Sequence, residues 1–267
     1  MTHIRVVAPS RMLPREAAER AAELAAGVSG VTLRFDDQCF LSEGHFAGSD
    51  QERAAAFIRA ANDPEVDAVW FARGGYGACR ILTPVLEGLE ESARSKTYLG
   101  YSDGGYLLGA LGAAGFGKCV HGPMVADLLR EGGEEAVGRV LSFFAGDSQE
   151  RPVAYAFNLA VLSSLVATDH CPDFAGEAVM IEEVGEHLYA IDRMLFTVFA
   201  SGALRGASGV MLGRVSEVPE NDIAFGEEPE AILHRWCRRY GVPYLGSAPI
   251  GHDADNELIA FPSVPSV

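Results

Sequence analysis

Thr97-Tyr98-Leu99-Gly100-Tyr101-Ser102-Asp103-Gly104-Gly105 decides how this chain is read. Residues 97–101 make a short apolar strand, and Ser102-Asp103 opens a helix that runs to about Ala114. A strand that turns directly into a helix is the unit of a parallel α/β sheet. The same order repeats upstream. Residues 4–8 read as a strand, 14–27 as a helix and 31–35 as a strand. A helix over 51–62 follows, with Ser49 and Glu52 at capping-box spacing. Residues 67–72 form a strand that runs into Arg73-Gly74-Gly75-Tyr76-Gly77, and a helix starts near Ala78. Downstream, 118–120 is a short strand before His121-Gly122-Pro123.

Beyond residue 145 the rhythm changes. The polar stretch 146–151 marks a boundary, dividing the chain into an α/β domain over 1–148 and a second domain over 149–267. Strands are expected at 151–156, 178–181, 209–213, 244–246 and 258–261. Helices are expected at 159–167, 188–201 and 228–240, and the acidic stretch 217–230 reads as a solvated loop entering the last of them.

The chain has 267 residues, enough for one large domain or two small ones. Asp and Glu outnumber Lys and Arg by 37 to 21, a net charge of −16. So acidic a chain is a poor binder of nucleic acid and of anionic membrane surfaces, and an anionic ligand needs a local cationic pocket. No run approaches the roughly 20 apolar residues of a membrane span, and the N-terminus lacks the pattern of a secretory signal. The five cysteines are scattered, with no C-x-x-C pair. That suits free thiols in a reducing compartment, so a cytoplasmic location is expected.

Gly100-Tyr101-Ser102-Asp103-Gly104 is also G-x-S-x-G, the spacing of a nucleophile elbow. Small neighbours let the backbone turn sharply, and the helix start offers N–H groups to a developing oxyanion. Ser102 would equally serve as a plain N-cap. The glycines of 73–77 allow close approach to a ligand, as a second oxyanion donor or a phosphate cradle, or simply make a tight turn. The spacing is neither a P-loop nor a dinucleotide fingerprint. A serine nucleophile needs a base. Of seven histidines, His252 and His121 sit on loops, where functional groups concentrate. Ile181-Glu182-Glu183-Val184 places carboxylates at a strand end, able to orient a histidine or merely exposed. His170-Cys171 lacks further ligands at usable spacing, and Gly185 argues against a helical metal pair of Glu183 and His187, so no metal and no cofactor are expected.

Together these segments resemble the LD-carboxypeptidase family, which includes murein tetrapeptide carboxypeptidases and microcin C self-immunity peptidases. The likeness runs through Ala8-Pro9-Ser10, Gly44-His45-Phe46-Ala47-Gly48-Ser49-Asp50, the turn at 73–77, Gly100-Tyr101-Ser102-Asp103 and His121-Gly122-Pro123-Met124. It continues through Asn158-Leu159, residues 182–186, Tyr189-Ala190-Ile191-Asp192-Arg193 and Pro249-Ile250-Gly251-His252. The resemblance implies a Rossmann- or flavodoxin-like parallel α/β domain and a smaller mixed C-terminal domain with a barrel-like sheet. It implies Ser102 as nucleophile, His252 as general base and Glu182 as the group that orients it. The backbone amides of Asp103 and Gly75 would form the oxyanion hole. Arg73, Gly74, Tyr76 and Arg193 would meet the substrate. The implied activity is removal of the terminal D-alanine from murein tetrapeptides in peptidoglycan recycling, by a cytoplasmic homodimer.

Gly104-Gly105 and Ala156-Phe157 depart from the family pattern, and the chain is short. These differences leave the catalytic groups in place but bear on the substrate. The alternatives are a peptidyl-nucleotide amide hydrolase with the same triad, an esterase of the α/β-hydrolase class, and a non-catalytic muropeptide-binding protein.

Overall fold

A computed structural model describes residues 1–147 and 149–263. The first residue of the expected 148/149 boundary therefore lies outside the described residues. The first half alternates strands and helices: β1 (Thr2–Val7), α1 (Arg15–Ala26), β2 (Val31–Phe35), α2 (Asp50–Asn62), β3 (Ala68–Phe71) and α3 (Leu82–Gly88). It continues with β4 (Thr97–Gly100), α4 (Gly105–Ala113), β5 (Lys118–His121) and α5 (Gly133–Phe144). The second half is β6 (Tyr155–Asn158), α6 (Leu159–Leu165), β7 (Ala178–Val184), α7 (Leu188–Ser201), β8 (Gly209–Ser216), α8 (Pro229–Tyr240), β9 (Tyr244–Ser247) and β10 (Ile259–Ala260).

The fold is the α/β class expected from the alternation. The first sheet has the order β10-β5-β4-β3-β1-β2. Its first five strands are parallel, in a flavodoxin-like order, and β10 joins antiparallel to β5. β3 is buried along its whole length, as a strand covered on both faces must be. The carboxyl ends of β1, β3, β4 and β5 lie along one edge of this sheet, where ligands bind in such folds.

The second sheet, β6-β7-β8-β9, is wholly parallel and open. The barrel-like closure implied by the family likeness is not its geometry. Each pair of its strands is joined through a helix, and such crossovers return the chain in the same direction. The strand expected at 258–261 shortens to β10 and crosses to the first sheet, so the chain's end covers an edge opened 140 residues earlier. α5 is a helix that the sequence reading left out. Its Gly132 cap is left-handed and the residues before it form a 3-10 turn, so no polar cap announces its start.

The two sheets share one apolar core. Phe57, Phe71 and Leu107 from the first half join Phe157, Leu162 and Phe174 from the second. α4 presses closely on α6: a Cβ at Gly109 would lie 2.7 Å from Leu165 Cδ2. Burial of this kind contributes roughly 25 cal/mol per Å² of apolar surface, so the halves are held together by ordinary core packing.

Candidate active site

Ser102 sits one residue beyond the end of β4, after Tyr101, with φ 56°, one of two described non-glycine residues with positive φ. A left-handed serine is strained, and such strain gathers at functional sites. The surroundings force it. A Cβ at Gly104 would lie 2.6 Å from Phe71 Cδ2, and one at Gly100 would strike the same ring. The turn is pressed onto β3 and lifts the Ser102 hydroxyl toward solvent.

Asp103 is buried and ties three loops together. Its Oδ2 accepts from Ser10 Oγ at 2.5 Å and from the backbone N–H of Ala78 at 2.8 Å. Burial raises its carboxyl above the ordinary range, and these hydrogen bonds act against that rise. Arg53, fully buried on α2, donates to Pro9 O, to Gly77 O at 2.9 Å and to Asp50. It holds the β1 loop against the glycine turn. Sequence reading missed Arg53, because an arginine in an amphipathic helix signals a solvated face.

The glycine turn crosses directly over the serine. A Cβ at Gly74 would lie 2.7 Å from Ser102 Oγ, so only glycine lets this backbone approach. At Gly75, with φ 120°, a Cβ would collide with the stem of Arg11. Among the described residues the Gly75 N–H meets no acceptor. The Asp103 N–H precedes the first hydrogen bond of its 3-10 turn, Gly104 N–H to Tyr101 O at 3.0 Å, and so has no partner within the turn.

Glu182 lies on β7 and is fully buried, and Glu183 beside it is also buried. Successive strand residues face opposite ways, so the two carboxylates do different things. Glu183 accepts from Asn158 Nδ2 and from the Ala160 N–H, both at 2.8 Å, fastening the start of α6. Burial raises its carboxyl above the usual range. Glu182 faces the first sheet. Its Oε2 is 2.6 Å from His252 Nδ1, and His252 Nε2 is 3.0 Å from Ser102 Oγ. An ionised carboxylate only accepts, so Nδ1–H donates to Glu182 and Nε2 accepts from the serine hydroxyl.

A β-bulge makes this meeting possible. Between Ile181 and Glu183 of β7, β8 carries one extra residue. Gly213 leaves room there for Glu182 and Ile250: its Cβ would fall 3.0 Å from Glu182 Cβ and 2.7 Å from Ile250 O. Arg214 donates its backbone N–H to Ile250 O at 2.9 Å and pairs through its guanidinium with Asp253, Nη2 to Oδ1 at 2.6 Å. Burial pushes the Asp253 carboxyl up, and Arg214 outweighs that effect and holds it below its ordinary value.

Other side chains fasten the same loop. Arg130 Nη1 donates to His252 O at 2.6 Å, and Arg139 on α5 donates to Ala254 O and Asn256 O. Asn256 Oδ1 accepts from the Gly251 N–H at 3.2 Å and from His121 Nε2 at 2.9 Å. His121, expected on a loop, instead ends β5 and is a buried strut, and burial holds its pKa below the ordinary histidine value.

Ser102 and His252 line a cleft of about 430 Å³, with Arg73, Gly74, Gly75 and Arg130. Tyr76 lies half exposed beside His45 and Phe46, outside that lining. Arg193 is on the surface of α7, over the Tyr189 ring, and does not line the cleft either. Among the described residues no three His, Cys, Asp or Glu side chains gather as a metal site, and no helix is long and apolar enough to cross a membrane. All five cysteines are free thiols.

At the carboxyl edge of the flavodoxin-like sheet a strained serine, a histidine and a buried glutamate thus stand in one hydrogen-bonded line. Residues 4–122 match the LD-carboxypeptidase N-terminal domain, and residues 154–262 match the LD-carboxypeptidase C-terminal domain. A Synechocystis sp. protein is 31% identical over 95% of this chain and 87% of its own length. The murein tetrapeptide carboxypeptidase of Pseudomonas aeruginosa is 28% identical over 79% of this chain and 76% of its own. The crystal structure of muramoyltetrapeptide carboxypeptidase from Oxalobacter formigenes superposes with a TM-score of 0.80 at 25% identity, covering 96% of this chain and 92% of that one. The microcin C7 self immunity protein in complex with aspartyl sulfamoyl adenosine shares the fold, with a TM-score of 0.76 at 15% identity over 97% and 95% of the two chains. The chain belongs to the LD-carboxypeptidase family and is a peptidase of that family.

Proposed function

We propose that this protein is a serine LD-carboxypeptidase that removes the terminal D-alanine from murein tetrapeptides, cutting the amide between the L-centre of meso-diaminopimelate or lysine and D-alanine. The observation that carries this reading is the unbroken hydrogen-bonded line Ser102–His252–Glu182 at the mouth of a cleft. The names of the relatives from Pseudomonas aeruginosa and Oxalobacter formigenes support the choice of muropeptide.

In this reading His252 Nε2 takes the proton as Ser102 Oγ attacks the scissile carbonyl. Glu182 holds the ring in the tautomer that leaves Nε2 free and stabilises the imidazolium that forms. In this reading the N–H groups of Gly75 and Asp103 meet the oxyanion; both are without a backbone partner in their turns, and the glycine turn lies against Ser102 Oγ. The imidazolium then protonates the leaving amine, the C–N bond breaks and D-alanine departs. Water, deprotonated by His252, cleaves the acyl-enzyme and restores Ser102. The proposal places this activity in the cytoplasm, in keeping with five free cysteines, and in a homodimer, which light scattering on the purified protein tests.

The direct test is mass spectrometry of a murein tetrapeptide incubated with wild type and with Ser102→Ala. The expected result is loss of one D-alanine with the wild type only. Loss with both overturns Ser102 as nucleophile. Loss with neither overturns the murein substrate and directs the search to peptidyl-nucleotides.

A further inference from the structure

The cleft beside Ser102 is lined by two arginines, Arg73 and Arg130, and one acid, Asp127, in a protein that is strongly acidic overall. The stem of Arg11 lies directly on Gly75, one of the lining residues. Among the described residues neither Arg11 nor Arg73 has a carboxylate within 4 Å, although the chain carries 37 acidic residues. Among the described residues the one hydrogen bond of the Arg73 head is a long one, Nη1 to Met12 O at 3.4 Å. Partial burial, with the charges of Arg11 and Arg130 nearby, lowers the Arg73 pKa, whereas Asp127 opposes that shift. An unpaired, half-buried guanidinium among like charges is costly, and a bound anion relieves that cost.

Arg130 is poised differently. Nη1 is occupied by Tyr101 Oη at 3.2 Å and His252 O at 2.6 Å, and Nε faces Asp127 Oδ1 at 3.5 Å. Asp127 is itself committed, accepting from the Met124 N–H at 2.7 Å and from Tyr101 Oη at 2.9 Å. Nη2 of Arg130 has no protein partner among the described residues. The geometry is short-ranged as well. Arg73 is joined through Gly74 to the N–H of Gly75, and Gly74 lies on the serine hydroxyl. Arg73, Arg130 and Ser102 line one cleft of about 430 Å³, so a negative charge held by the arginines stays close to the serine. Met124, Ala126 and Leu129 supply an apolar floor suited to a small side chain.

We propose that Arg73 and Arg130 together form the receptor for the substrate's terminal carboxylate, with Arg11 packed behind Gly75 to keep Arg73 turned into the cleft. This inference rests on the carboxypeptidase reading above and names the groups that make the enzyme cut only the last residue. Because Arg130 also holds the carbonyl of His252, occupation of the receptor and the seating of the base share one side chain. Arg193, the other arginine expected from the family likeness, has no part in it.

The test uses one tetrapeptide in two forms, with the terminal carboxylate free or converted to the primary amide. Binding is measured by calorimetry on Ser102→Ala, and turnover on otherwise wild-type protein. The free acid should bind at least about 30-fold more tightly than the amide, the range expected for charge-assisted hydrogen bonds. Arg73→Gln and Arg130→Gln should each remove most of that preference while changing amide binding by less than about 3-fold. Arg73→Lys should restore part of it, since charge survives but the planar fork does not. Arg11→Gln should act in the same direction with a smaller effect. Equal binding of acid and amide by Ser102→Ala overturns the receptor. So does a loss in Arg73→Gln and Arg130→Gln that falls equally on both peptides. Wild-type protein that releases neither D-alanine from the acid nor D-alaninamide from the amide overturns the carboxypeptidase reading itself, whatever the binding data give.

Discussion

Two regions supply the ends of the Ser102–His252 hydrogen bond, and they are built on opposite plans. The Ser102 turn is a local device. Nine consecutive residues contain the strand, the strained serine and the helix start, and two glycines flatten the turn onto Phe71. The His252 loop contains almost nothing that explains its own position. It is held from outside by Arg130 and Arg139, from the segment around α5, and by Arg214 of β8, and from within by Asn256. Ser102, the proposed nucleophile, is thus placed by backbone geometry, and His252, the proposed base, by side-chain struts. A turn of the first kind can be recognised in one dimension, whereas a loop of the second kind is defined only by its partners.

The sharpest way to break this comparison is at Ser102. Ser102→Ala should lower kcat by about 10⁴-fold or more. Ser102→Gly should be equally inactive yet more stable by about 1 kcal/mol, because glycine accepts positive φ without strain. Denaturant unfolding of the three proteins reads this out, and a Ser102→Gly protein no more stable than wild type would sink the idea of a strained elbow.

The two adjacent glutamates come next. Glu182→Gln should cost about 10³-fold in kcat, since the amide both loses the negative charge and can present a donor to Nδ1. Glu183→Gln should leave kcat within about 3-fold and destabilise the fold by ~1–3 kcal/mol through its Asn158 and Ala160 bonds. Steady-state kinetics beside thermal melts distinguish them, and a reversed pattern would exchange their roles.

Loosening the loop should have a smaller effect. Arg214→Met breaks the Asp253 pair and should lower kcat by about 10- to 100-fold with little change in KM, because a small displacement of the base is enough. Hydrogen exchange should rise in the loop around His252 and stay flat around Ser102. A uniform rise would mean that the two regions do not differ in how they are held.

The mildest effect concerns pH. Burial lowers the pKa of His121, so its neutral form is favoured by folding. The contribution is fully present above the unfolded histidine value of about 6.5 and is lost as pH falls below it. The buried carboxyls of Asp103 and Asp127, raised by burial, act in the opposite sense: their contribution is present at low pH and fades as pH rises. His121→Gln keeps a donor for Asn256 without titrating. The stability difference between wild type and this variant should shift against the wild type between pH 7 and 5, by about 1 kcal/mol. A difference independent of pH would remove His121 from this account.

Much of the molecule was legible in one dimension. The capping box of α2 is present as Ser49 and Glu52, and α7 spans the expected residues 188–201. α5 was not legible, because a glycine-led helix after a 3-10 turn carries no start signal, and with it went Arg139. Nor did a carboxylate pair at 182 and 183 say which member faces the base. Period-two alternation guarantees that they differ but not which way the strand is turned.

The sequence alone determined the alternating α/β plan, the elbow at Ser102 and the glycine turn, because each is written in neighbouring residues by strand period, helix capping and the steric needs of positive φ. Only the tertiary structure decided that Glu182 meets His252, that Arg73 and not Arg193 faces the cleft, and that the last strand returns to the first sheet. The contact between Ser102 and His252 spans 150 residues, and it depends on one extra residue in β8 and on how two sheets share a core. Those are consequences of packing in three dimensions, and no local pattern of residues carries them.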